Sequence, residues 1–153
     1  MRTTEGYTLA DNAINYSQKS VETLATVKGV KSLDGIRAGG NKISISGDAD
    51  DDSIKIMGKS TTVTGGKGND TLWGSSYADS FIYSAGDGKD IIYGFDDKDT
   101  LTLDDLDFIS SYKNNSLALT VNGGSVTFKD FTATTFNING DAYKISGAKL
   151  VKK

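Results

Sequence analysis

The sequence predicts an all-β fold, a parallel β-roll (a β-solenoid of nine-residue half-turns) closed by a C-terminal antiparallel hairpin cap. Three observations predict it. Apolar residues recur every nine positions in the middle of the chain, glycine and aspartate concentrate in the same stretch, and two later turn signals are flanked by short apolar strands. We divide the 153 residues into N-terminal strands, irregular coils or a cap (1–28), the roll (29–102) and the C-terminal cap (103–153).

The clearest repeat is GGKGNDTLW, residues 65–73, and steps of nine from its Leu72 meet an apolar residue at every position from Val27 to Phe81. A three-residue strand with one inward side chain is stable only when it stacks on its neighbours, so two nonapeptides should form one 18-residue turn with two facing sheets. Two extra residues, Tyr83 and Ser84, shift the frame before it resumes. We expect the inward rows to be Ile36, Ile54, Leu72 and Ile92 in one sheet and Ile45, Val63, Phe81 and Leu101 in the other.

The C-terminal segment lacks the nonapeptide but carries two hairpin signals. Asn122-Gly123-Gly124 separates the strand-like stretches 117–121 and 125–129, and Asn139-Gly140-Asp141 separates 136–138 from 142–145. An open solenoid end exposes an unpaired strand edge. We therefore expect this segment to cover that end, packed through Phe108, Phe128, Phe131 and Phe136.

The composition excludes several function classes. Without histidine or cysteine there is no thiolate metal site, no disulfide and no histidine-based catalysis, and we predict that the chain is not an enzyme. A net charge of −3 argues against a nucleic-acid partner. No apolar run approaches the roughly 20 residues of a transmembrane segment, and the first ten residues lack the apolar region of a secretory signal.

Aspartates dominate the 20 acidic residues, since only Glu5 and Glu22 are glutamates. Asp34, Asp52 and Asp70 lie 18 residues apart and Asp90 follows after 20, which predicts a column of carboxylates along one edge of the roll. The opposite edge would hold Ile43, Thr61, Asp79 and Asp99. Stacked carboxylates repel one another unless a cation lies between them. The alternative is a metal-free roll whose aspartates only cap turns.

The units GGKGNDTLW and AGDGKDIIY (residues 85–93) resemble the GGxGxDxUx nonapeptide of the RTX (repeats-in-toxin, hemolysin-type) calcium-binding family. Other units of the chain match this consensus only in part. The resemblance implies calcium ions between successive loops, held by positions 2, 4 and 6 of one loop and 1, 3 and 6 of the next. On this chain the best site would use Gly66, Gly68 and Asp70 with Ala85, Asp87 and Asp90. A second would use Asp48, Asp50 and Asp52 with Gly65, Lys67 and Asp70. A third, on the opposite edge, would use Ser75, Tyr77 and Asp79 with Gly94, Asp96 and Asp99.

The resemblance also implies a function: a calcium-binding structural or folding module of a secreted bacterial protein, such as a toxin, adhesin or exoenzyme. Its partners would be calcium ions and a larger parent polypeptide or a cell surface. One alternative is an extracellular binding module that uses a flat outer face, either a Ser/Thr array for ice or Trp73 and Tyr93, beside Arg37 and Lys55, for a glycan. The other is a small, self-standing secreted effector or toxin.

Overall fold

The computed structural model describes residues 15–16, 25–27, 32–38, 43–56, 60–104 and 107–153. The strand-like stretch at 7–10, and most of the predicted N-terminal segment, lie outside these residues. The described residues contain no helix that could span a membrane. Their strands are β1 (Asn15–Tyr16), β2 (Ala25–Val27), β3 (Ser32–Ala38), β4 (Ile43–Ser46), β5 (Ser53–Ile56), β6 (Thr61–Thr64), β7 (Thr71–Trp73), β8 (Ser80–Tyr83), β9 (Lys89–Tyr93), β10 (Thr100–Leu103), β11 (Ile109–Lys113), β12 (Ser116–Val121), β13 (Gly124–Lys129), β14 (Phe136–Ile138), β15 (Asp141–Ser146) and β16 (Lys149–Lys152).

Successive strands from β1 to β10 alternate between two sheets, which confirms the predicted β-roll. The odd-numbered strands from β1 to β9 pair in parallel in the first sheet, and the even-numbered strands from β2 to β10 pair in parallel in the second. The inward rows follow the predicted register from β4 onward. The residues that pair in register and are buried are Ile54, Leu72 and Ile92 in the first sheet and Ile45, Val63, Phe81 and Leu101 in the second.

The predicted register is wrong at β3. Its backbone pairs Leu33 with Ile54 and Asp34 with Lys55, so that Ile36 lies beside Ile56 after a register shift. Ile36 therefore does not extend the Ile54 row, and Asp34 does not extend the aspartate column beside Asp52. The 18-residue spacing depends on compact glycine- and aspartate-bearing turns, whereas β3 is a seven-residue strand and contains a bulge that changes the count.

The C-terminal segment adds one more parallel turn, β13 and β14, between two sets of antiparallel strands. Strand β13 pairs in parallel with β9, and β14 pairs in parallel with β10. Antiparallel strands then extend both sheets, β12 and β11 on one and β15 and β16 on the other. Both predicted hairpins are present, while β11 and β16 were not predicted. The side chain of Asn139 protects the edge of β10, because its Oδ1 accepts the Leu103 N–H at 2.8 Å and its Nδ2 donates to the Leu103 carbonyl at 2.9 Å.

A cluster of phenylalanine rings joins the roll to this segment. Phe95, in the loop before β10, lies at its centre, with ring centroids 4.9 Å from Phe128 and 4.5 Å from Phe136. Phe131 packs against the same rings. The sequence reasoning did not assign Phe95 to the core, because it occupies a loop position of the repeat. Phe108 is only partly buried; it packs against the margin of the core, where its ring contacts Tyr143.

Truncation after Thr102 should leave a chain that aggregates or stays unfolded even in calcium, because it exposes β9, β10 and the face of Phe95. Size-exclusion chromatography and circular dichroism would measure this. Phe136→Ala in the full chain is the milder comparison and should cost about 3–5 kcal/mol of unfolding free energy. A truncated chain that is monomeric and rich in β-structure would contradict the role of this segment as a cap.

Candidate metal centre

Three loops stack along one edge of the roll where the chain passes from the second sheet to the first: 47–52, 65–70 and 84–90. Positions in them are counted from Gly47, Gly65 and Ala85, because Ser84 belongs to the insertion. Gly68 and Gly88 form a parallel bridge between the last two loops. The carbonyl at the fourth position of each loop approaches the next loop closely, since an added Cβ would lie 2.4 Å from the Asp50 oxygen at Gly68 and 1.9 Å from the Gly68 oxygen at Gly88. Glycine at these positions therefore lets carbonyl oxygens converge between turns.

The sixth position of each loop is a buried aspartate whose side chain reaches back to the preceding turn. The Asp70 Oδ1 atom accepts the Asp52 N–H at 2.7 Å, and the Asp90 Oδ1 atom accepts the Asp70 N–H at 3.0 Å. Asp52, Asp70 and Asp90 are only 2%, 1% and 4% exposed. The structure thus brings three of the four predicted members of the column together. The fourth, Asp34, lies in β3 and pairs with Lys55 instead of with the loop of Asp52.

The Asp70 Oδ2 atom, in the middle of this column, has no hydrogen-bond donor among the described residues. In loop 47–52 the Asp52 Oδ2 atom accepts the Asp48 N–H at 2.8 Å. In loop 65–70 the Asp70 Oδ2 atom lies against Gly65, where an added Cβ would be 2.2 Å away, and it is buried with no hydrogen-bond partner among the described residues. A buried carboxylate oxygen without a donor is destabilising. A cation beside Asp70 would remove that penalty.

The electrostatics of the column also favour a cation. The pKa of Asp70 is raised to about 6, mainly by burial; the hydrogen bond from Asp52 lowers it, and the nearby carboxylates of Asp52, Asp51 and Asp87 contribute to the rise. Burial, with Asp70 and Asp87 nearby, raises the pKa of Asp90 to about 7. Burial also raises the pKa of Asp87. Among the described residues, neither Asp70 nor Asp90 forms a salt bridge.

The other ligands that the resemblance implied lie around Asp70. Gly66 and Gly86 both have positive φ, at 102° and 89°. An added Cβ at Gly66 would lie 2.1 Å from the Asp48 oxygen, whereas one at Gly86 would meet nothing within 4 Å. The backbone of loop 84–90 at Gly86 is therefore less crowded by the preceding loop than the backbone of loop 65–70 is at Gly66. Ala85 is exposed at the turn, and the buried Asp87 accepts the Ser84 N–H at 2.7 Å.

The second implied site is partly satisfied by the chain itself, because the Lys67 N–H donates to the Asp48 carbonyl at 2.9 Å. No group of three or more acidic side chains forms a ready cation cage within the described part of the chain. Backbone carbonyls would therefore have to supply much of the oxygen shell, which calcium accepts readily.

The opposite edge uses its aspartates differently. The Asp99 carboxylate accepts the Asp79 N–H at 2.8 Å and the Asp96 N–H at 2.9 Å. The Asp79 carboxylate accepts the Thr61 N–H at 3.1 Å and the Ser75 N–H at 2.7 Å. Each oxygen of both carboxylates has a donor, as expected for turn-capping aspartates. The third implied site, with Tyr77 and Gly94 among its ligands, stays a prediction.

Sequence reasoning missed the role of Tyr83, which it treated only as part of an insertion. The side chain is 2% exposed, and its hydroxyl donates to the Gly88 carbonyl at 2.7 Å. Burial, with Asp90 and Asp87 nearby, raises the pKa of Tyr83 to about 12, so the hydroxyl keeps its proton at neutral pH. The insertion does not disturb the roll, because Ile92 still pairs with Leu72.

The outer faces carry the other two predicted features. Lys55, Trp73 and Tyr93 lie in register on the first sheet, and the two rings stack with centroids 5.5 Å apart and planes 10° apart. Arg37 does not join them, since Asp34 is the residue that pairs with Lys55. On the second sheet, Ser80 pairs with Thr62 and Thr100. A glycan or an ice surface as ligand of these faces stays a prediction.

Comparisons with known proteins identify the repeat. A family profile described as "RTX calcium-binding nonapeptide repeat (4 copies)" matches residues 60–82 and 82–105. Among solved structures, the extracellular lipase LipA from Serratia marcescens is similar, with 24% identity and a TM-score of 0.57 over 70% of this chain and 19% of the lipase chain. That likeness shows the fold alone, and this chain spans about a fifth of the lipase. No curated protein matches the sequence.

In calcium-free buffer, the folded chain should lose stability as pH rises from about 4 to 7. The pKa values of Asp70, Asp90 and Asp99 are raised to about 6, 7 and 7, so the folded state binds more protons than the unfolded state in this window. The stabilisation is fully present below the unfolded pKa of about 4 and is lost as pH passes the folded values. Urea midpoints across this range would measure it. A midpoint that rises with pH would contradict the electrostatic description.

Proposed function

Because residues 60–105 carry RTX calcium-binding nonapeptide repeats, we propose that this chain is a calcium-stabilised folding module of a secreted bacterial protein. The observation that carries the proposal is the buried Asp70 Oδ2 atom without a hydrogen-bond donor, at the centre of a column of buried carboxylates. Asp70 and Asp90 lie within the matched repeats, whereas Asp52 belongs to the loop before them.

The residues that would hold the ion are the carboxylates of Asp70 and Asp90 and the oxygens of the loops on either side. When bound, calcium would place positive charge beside Asp70 and Asp90, which form no salt bridge among the described residues. The chain itself shapes the site. Loop glycines leave space for carbonyl oxygens of the preceding turn, and a backbone N–H orients each of the Asp70 and Asp90 carboxylates by donating to one of its oxygens. Such a site exists only when the turns are stacked, so binding and folding are linked.

This linkage suits a protein that is exported before it folds. Without calcium, the buried carboxylates oppose the stacked state, and millimolar calcium outside the cell would favour it. Localisation outside the cell and attachment to a larger parent polypeptide are parts of the proposal. We expect no catalysis by the module itself, because its buried aspartates belong to repeated turns rather than to a pair with separate acid and base roles.

Calcium should raise the melting temperature and a chelator should lower it. At a calcium concentration one hundred times the dissociation constant, linkage adds about 2.7 kcal/mol, which corresponds to a rise of roughly 5–10 °C for a domain of this size. Scanning calorimetry would measure it. Magnesium is the matched control and should have a smaller effect, because it demands a tighter octahedral shell. Equal melting temperatures in calcium and in chelator would refute the proposed function.

Asp70→Asn should weaken calcium binding by at least tenfold, whereas Asp99→Asn should change it by less than threefold. Both aspartates are equally buried and both accept a backbone N–H from the preceding turn. They differ because both Asp99 oxygens have donors while Asp70 Oδ2 has none. Isothermal titration calorimetry would compare the two variants. Equal losses of affinity would mean that the aspartates serve folding alone.

A further inference from the structure

The column of inter-turn carbonyls ends at Gly88. In the preceding loops the fourth-position carbonyls, those of Asp50 and Gly68, approach the next acidic loop. The Gly88 carbonyl points in the same sense, but it accepts two hydrogen bonds, from the Tyr83 hydroxyl at 2.7 Å and from the Ser125 N–H at 2.9 Å. A carbonyl oxygen has two lone pairs. Both are therefore used, and this oxygen is not free to ligate a cation in the following turn.

The next turn of the roll contacts the Gly88 carbonyl through β13. It places the start of β13, rather than an acidic loop, beside Gly88. An added Cβ at Gly124 would lie 2.0 Å from the Tyr83 hydroxyl and 2.1 Å from the Gly88 oxygen. Only glycine allows β13 to approach closely enough for the Ser125 N–H to reach the same oxygen. The last acidic loop and the cap thus share one acceptor atom.

The hydroxyl that donates to Gly88 belongs to Tyr83, one of the two inserted residues. Tyr83 ends β8, and its ring is buried beneath loop 84–90, so its hydroxyl reaches the loop backbone from inside the roll. The same loop supplies Ala85, Asp87 and Asp90, which the proposed calcium site uses from the side facing loop 65–70. A group that fixes Gly88 therefore also restrains these three residues.

We propose that Tyr83 terminates the calcium column and couples its last ion to the C-terminal cap. Its hydroxyl donates to the carbonyl that a further cation would otherwise bind, and it holds loop 84–90 in the conformation that meets both the preceding ion and β13. This rests on the proposed function. Coupling between two sites is reciprocal, so calcium binding strengthens the docking of β13, and the docked cap strengthens calcium binding.

Tyr83→Phe tests the coupling, because it keeps the buried ring and removes only the hydroxyl. Tyr93→Phe is the matched control, since Tyr93 lies in β9 of the other sheet and stacks on Trp73 at the outer face. Loss of one net hydrogen bond, about 1 kcal/mol, should weaken calcium binding by roughly three- to tenfold in Tyr83→Phe and leave it unchanged in Tyr93→Phe. Gly124→Ala, which crowds the same hydroxyl, should also lower the affinity.

Amide hydrogen exchange provides a second measurement. If Tyr83 only stabilised the fold, its hydroxyl would not affect the calcium-dependent protection of β13. On addition of calcium, the amides of residues 125–129 should gain protection in the parent and in Tyr93→Phe, and gain clearly less in Tyr83→Phe at saturating calcium. Parent-like affinity together with parent-like protection in Tyr83→Phe would overturn the role of Tyr83 while leaving the calcium function intact. A parent chain that does not bind calcium would overturn both proposals.

Discussion

The structure depends on one repeated interaction: a buried aspartate at the end of each loop accepts a backbone N–H from the turn before it. The Asp70 carboxylate accepts the Asp52 N–H, the Asp90 carboxylate accepts the Asp70 N–H, and on the opposite edge the Asp99 carboxylate accepts the Asp79 N–H. These bonds satisfy loop amides that no strand partner reaches. They also bury one carboxylate per half-turn, so the feature that stacks the turns is also the source of their electrostatic strain.

The two edges relieve this strain in different ways. On the edge of Asp79 and Asp99, one oxygen of each carboxylate accepts an N–H from the preceding turn and the other accepts an N–H of its own loop. Lys98 adds a positive charge there by donating to the Ser76 carbonyl at 2.7 Å. On the edge of Asp70, one oxygen has no donor among the described residues, and the loop glycines present carbonyls instead. One fold thus carries an edge whose aspartates have donors for both oxygens and an edge that favours a divalent cation.

A repeat of this kind needs an explicit end, because every turn leaves strand edges and loop carbonyls for another turn to meet. The chain supplies the end at three levels. Tyr83 and Ser125 use the last loop carbonyl, Asn139 protects the edge of β10, and the phenylalanine cluster around Phe95 fills the space between the sheets. The cap is therefore continuous with the roll, sharing its sheets, its core and one of its loop oxygens.

The sequence by itself determined the architecture wherever the nonapeptide is strict. Equivalent repeat positions, counted with the two-residue insertion at Tyr83 and Ser84, place Ile54, Leu72 and Ile92 in one row and Asp52, Asp70 and Asp90 in one column, because stacked turns superimpose them. It also located both hairpins through their turn residues. It was wrong at Ile36 and Asp34, where a long bulged strand replaces the compact turn and the count no longer transfers.

Only the tertiary structure decided how each oxygen is used. The sequence assigns the same sixth-position aspartate to both edges, yet Asp99 is satisfied by donors and Asp70 is not, because that depends on the path of neighbouring amides in three dimensions. The roles of Tyr83, Phe95 and Gly124 have the same origin. Each acts through contacts with residues from other turns, and a repeat pattern specifies how turns stack without specifying what closes the last one.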